Sequence, residues 1–136
     1  MDNINNLICF LIALQNFCKD VHYSAKGDAF YSKHLLADKV QEELSQYIDD
    51  IKEVFFMAVE KEPLPSKEYL KFAVNLIPNI AEDDRTNFES LKKLIFTTLQ
   101  HIEGLESLTK GEENLIGAIA QNLQSSLALV SFQIKE

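Results

Sequence analysis

Five side chains between residues 22 and 53 have the donor types that a transition-metal site needs: His22, His34, Asp38, Asp49 and Glu53. Imidazole nitrogen combined with carboxylate oxygen is the donor set that suits iron with open coordination positions. His34 and Asp38 are four residues apart, as are Asp49 and Glu53, so on a helix each pair projects from one face. At 100° per residue the four fall at roughly 0°, 40°, 60° and 100°, which is a single stripe. Tyr31 lies on the same stripe and reads as an aromatic filling an interface. His101 has no partner at ligand spacing and reads as a surface or packing residue.

One helix cannot close a site from that stripe. Asp38 and Asp49 are separated by about 16 Å along a helix axis at 1.5 Å per residue. A two-fold axis removes the difficulty. If two copies of the helix pack antiparallel and cross near Glu43-Leu44, His34 and Asp38 of one face Asp49 and Glu53 of the other. His22, near the end of the preceding helix, completes the cluster from the His34 side. A self-complementary interface of this kind yields two sites per dimer, and neither exists in a lone chain.

The elements that must position these residues follow from the apolar periodicity. The chain has 136 residues, 46% of them apolar, with only four Gly and three Pro, so one domain of long helices is expected over residues 1–136. A first helix is predicted over residues 3–26, with Leu7, Phe10, Leu11, Leu14, Phe17, Cys18 and Val21 at helical spacing and Gly27 at its end. A second is predicted to start at Asp28, as N-cap, and to run to about Lys61, before Pro63 and Pro65. The third spans about Asp84–Leu105, with Phe88, Leu91, Ile95, Leu99 and Ile102 inward; the fourth spans about Glu112–Ile134. Glu62–Asp83 is far longer than antiparallel neighbours require, and within it a short helix is expected, capped by Ser66. The predicted fold class is therefore all-α: a four-helix bundle with a long crossover between helices 2 and 3 that contains a short extra helix. This is the ferritin-like connectivity.

Composition narrows the function. The net charge is −8 and the thirteen basic residues are scattered in sequence, which argues against nucleic acid as a partner. The apolar run Leu7–Leu14 is too short to span a membrane, and no signal peptide is evident, so a cytoplasmic location is expected. Cys9 and Cys18, nine residues apart, fall on opposite faces of the first helix. They cannot pair with each other and read as buried, reduced thiols.

The run His22-Tyr23-Ser24-Ala25-Lys26-Gly27-Asp28-Ala29-Phe30-Tyr31-Ser32-Lys33-His34 resembles the signature of the Dps family of mini-ferritins, and the match continues without a gap through Asp38, Glu43-Leu44, Asp49 and Glu53. The strong similarity covers about residues 17–57. It implies a cytoplasmic bacterial protein that assembles as a hollow dodecamer, with a ferroxidase centre between subunits. His22, His34 and Asp38 would come from one chain, and Asp49 and Glu53 from its partner. It further implies oxidation of Fe(II), typically by hydrogen peroxide, and storage of the ferric product. Without a lysine-rich tail, DNA protection is not expected. No Glu-x-x-His pair occurs in the chain, which sets it apart from classical ferritin. The competing reading is a non-catalytic structural or metal-binding protein on the same fold, with a site repurposed for zinc or for dimer pairing. Leu35 and Lys39, beside the ligand stripe where many relatives place acids, motivate that alternative.

Overall fold

The computed structural model describes residues 2–135, and all regular structure among them is helical. Six α-helices follow in order: α1 (Asn3–Ser24), α2 (Phe30–Gln41), α3 (Leu44–Phe55), α4 (Ser66–Ala73), α5 (Asp84–Glu103) and α6 (Lys110–Gln133), with short 3₁₀ turns at Met57–Val59 and Val74–Leu76. Taken together, α2 and α3 form one arm of a four-helix bundle with α1, α5 and α6. The crossover from α3 to α5 carries α4, as the connectivity required.

The core is built around α1. It packs against α2, α3, α4 and α5, and Leu7, Ile8, Leu11, Leu14, Phe17 and Val21 are all buried. Neighbours on both sides explain why Cys9 and Cys18 are both buried although they point in opposite directions; neither is in a disulfide among the described residues, and the Cys9 thiol donates to the Tyr69 carbonyl at 3.7 Å. On α6, Ile116, Ile119, Leu123, Ser126 and Val130 form an inward seam at alternating spacings of three and four. By length and composition α6 is the described helix apolar enough to cross a membrane; here its seam packs against α5, α3 and α2.

The starts of α1, α5 and α6 are set by side-chain caps that satisfy otherwise orphaned N–H groups. Asp2 accepts from the Asn5 N–H at 2.8 Å, and Asp83 caps α5 through the Thr86 N–H at 3.1 Å. Thr109 and Glu112 form a reciprocal capping box at the start of α6. The crossover is anchored by Tyr69, which is wholly buried. Its hydroxyl donates to Asn5 Oδ1 at 2.6 Å and accepts from the Leu64 N–H at 3.1 Å.

Four details differ from the sequence expectation. The second helix does not run unbroken from Asp28 to Lys61: it is interrupted at Glu42-Glu43 and its α-helical part ends at Phe55. Glu43 leaves the helical well (φ −101°, ψ 0°), and its carboxylate accepts from the Tyr47 hydroxyl at 3.2 Å and from Asn122 Nδ2, on α6, at 3.5 Å. That tertiary contact leaves no trace in local sequence, which has neither Pro nor Gly there. The buried positions Ala37, Val40, Leu44, Ile48 and Ile51 nonetheless keep helical spacing across the interruption. Asp28 is not the N-cap of α2; that position is Ala29, in a left-handed conformation with no side-chain cap. Ser66 is the first residue of α4 rather than its cap, a position that Pro65 occupies without a side-chain bond. Finally, α5 stops at Glu103 and α6 begins at Lys110, because Thr109 and not a later residue supplies the cap.

Candidate metal centre

The corner between α1 and α2 brings His22 and His34 together. The connection passes through Gly27 (φ +71°) and Ala29 (φ +57°), both left-handed, and a left-handed alanine costs about 1 kcal/mol. A partly buried ion pair holds it closed. Lys33 Nζ donates to Asp84 Oδ2 at 2.6 Å and to the Lys26 carbonyl at 3.0 Å, while Asp84 Oδ2 also accepts from the Lys26 N–H at 3.1 Å. The side chains of Lys33 and Asp84 are only 14% and 13% exposed. The start of α5 thus pins the loop that sets His22 against His34.

The two imidazoles are stacked, with centroids 3.5 Å apart and planes inclined by 21°. Their hydrogen bonds are reciprocal: His22 Nδ1 lies 2.7 Å from the His34 carbonyl, and His34 Nδ1 lies 2.7 Å from the His22 carbonyl. A carbonyl can only accept, so each Nδ1 must carry the proton. In the neutral ring that leaves each Nε2 as an unprotonated donor to a metal, the arrangement typical of ligating histidines. Phe30 stacks on His34 at 5.1 Å, and Tyr23 meets His22 edge-on at 4.9 Å. Both imidazoles are half-buried.

Asp38 lies one turn beyond His34 on α2. Its Oδ1 accepts from Lys19 Nζ at 3.2 Å and from Gln41 Nε2 at 3.0 Å. The Lys19 hydrogen bond is the largest influence on the carboxyl; desolvation comes next and opposes it, and the Gln41 hydrogen bond with the charges of Lys19 and His22 keeps the balance below the usual range. Lys19 is three residues before His22 and Gln41 three after Asp38. That i, i+3 spacing was the signal by which sequence reasoning could have found them.

Asp49 and Glu53 do not join this corner. Both are exposed on α3, and Asp49 borders a groove lined also by Gln15, Ser45, Lys52 and Tyr69. Among the described residues, no group of three or more His, Cys, Asp or Glu side chains in the single chain is close enough to hold a metal. The donors therefore lie in separate sets, the His22/His34 pair with Asp38 nearby on one side and Asp49/Glu53 on the other. The donor chemistry of the first set fits a divalent ion, with two free Nε2 atoms and a carboxylate. His101 is a packing residue: its Nε2 lies 2.7 Å from the Asn3 carbonyl and its ring packs on Phe10. Tyr31 is exposed.

No protein-family description matches the chain, and no curated protein matches it. Among solved structures, a mutant of Mycobacterium smegmatis Dps1 is similar over 98% of this chain and 93% of that one, with 19% identity and a TM-score of 0.82. At that identity the likeness concerns the path of the backbone rather than the chemistry of the site. The bundle, its crossover helix and this superposition agree that the chain has the Dps-like, ferritin-type fold.

Proposed function

We propose that this protein binds Fe(II) and oxidises it at a site formed between two copies of the chain. His22, His34 and Asp38 act from one copy, and Asp49 and Glu53 from the other. The observation that carries this reading is the reciprocal clamp of His22 and His34, which fixes both tautomers and leaves both Nε2 atoms for a metal. Carboxylates then favour the Fe(III) that forms, being hard oxygen donors. With hydrogen peroxide the step balances as two Fe(II) and one peroxide giving two Fe(III) and two hydroxides. The separation of the donors into two sets within one chain is what a two-fold site requires. Assembly into a hollow dodecamer, storage of ferric iron and a cytoplasmic location extend the reading by way of the Dps-like fold.

Anaerobic Fe(II) loading followed by peroxide, and in a parallel sample by oxygen, tests the reading. Oxidation of about two irons per dimer gives ferroxidase activity, and uptake of hundreds per assembly gives storage. Absence of Fe(II) binding would overturn it. A second reading, a metal-binding or structural protein without turnover, is favoured by the Lys19 ammonium bonded to Asp38, which competes with a cation for that carboxylate. Zinc binding with no iron oxidation is the result that would select it.

A further inference from the structure

The two groups that bond to Asp38 converge on the same atom. Lys19 Nζ and Gln41 Nε2 both reach Oδ1, and none of the described hydrogen bonds reaches Oδ2. They differ in what they do when a cation arrives. Lys19 is a flexible, half-exposed cation in an ion pair whose side chains are 47% and 46% exposed. Such a pair is screened by salt and contributes little, and its charge repels an approaching metal ion. Gln41 is neutral, partly buried and fixed one turn from Asp38 on the same helix. Its N–H bond to a carboxylate is charge-assisted and persists with a cation on the other oxygen.

We propose that Gln41 is a positioning residue, which by holding Oδ1 leaves Oδ2 as the single oxygen through which Asp38 binds a divalent metal. This rests on the reading of Asp38 as a metal donor. With Oδ1 released, the carboxylate turns about its terminal torsion and both binding strength and ligation mode change.

Cobalt(II) is a suitable probe because it reports its coordination through visible absorption and needs no oxidation step. Anaerobic titration of the assembled protein, by calorimetry and absorption, compares wild type with Gln41→Ala, Gln41→Arg and Asp38→Ala. Circular dichroism checks each fold, which alanine at a helical position preserves. Gln41→Ala is expected to weaken binding about tenfold, the loss of one charge-assisted hydrogen bond, and to change the absorption band. Gln41→Arg, which keeps an N–H donor, is expected to restore the band shape. Wild-type affinity and spectrum in Gln41→Ala, with weakened binding in Asp38→Ala, would overturn the role of Gln41 and leave the site intact. Wild-type affinity in Asp38→Ala would overturn the site and the role of Gln41 together.

Discussion

The proposed centre depends on which nitrogen of each histidine holds its proton, and two main-chain carbonyls decide that. Because each ring is tethered through Nδ1 to the other residue's backbone, moving either histidine disturbs both. His34→Ala or Asp49→Ala is expected to abolish rapid Fe(II) oxidation while the helical circular dichroism stays unchanged; oxidation at the wild-type rate in both would contradict the assignment. Asp38 gives a pH signature. Its folded-state pKa is lowered, so its contribution to stability is fully present above the unfolded value of about 3.9 and is lost as pH falls through the folded value. The gap in melting temperature between wild type and Asp38→Asn should therefore be largest near neutrality and close in acid. The gap should be small and shrink with added salt, since the Lys19 pair is half-exposed. Burial pushes the Cys18 thiol far above its ordinary range, which suits an inert core residue rather than a reactive one.

Among the elements, the corner between α1 and α2 does the positioning, and its lock lies at the start of α5. Asp84→Ala would leave Lys33 as an unpaired, nearly buried charge beside a strained loop. The expected loss is about 3 kcal/mol, read by chemical denaturation, together with weaker metal binding at a site Asp84 never touches. Unchanged stability would show that the loop is held by other means. The sequence made the apolar face of each helix and the crossover legible, because these depend on spacing alone. The stacking of His22 on His34 was not legible: it needs a turn with two left-handed residues and an acid from beyond the crossover. The interruption at Glu42-Glu43 was hidden as well: neither Pro nor Gly stands there, and the contact of Glu43 with Asn122 on α6 exists only in the fold. Folding also gathers Arg85, Lys92, Lys93 and Lys135 along one groove of about 810 Å³ between α5 and α6, basic residues that looked scattered in sequence, although Arg85 is paired there with Glu89.

For the whole molecule, a chain of net charge −8 that exposes two incomplete donor sets points to function in a pair of copies. The fold is that of Dps, and the proposed two-fold site would take from a second copy the residues that the single chain keeps apart. The most direct test mixes two inactive variants. His34→Ala and Asp49→Ala are unfolded together, refolded together and assayed for Fe(II) oxidation. A mixed dimer has one site with both defects and one with neither. Random pairing should therefore recover about a quarter of wild-type activity, although each variant refolded alone has none. A mixture as inactive as its components would contradict a site shared between two chains.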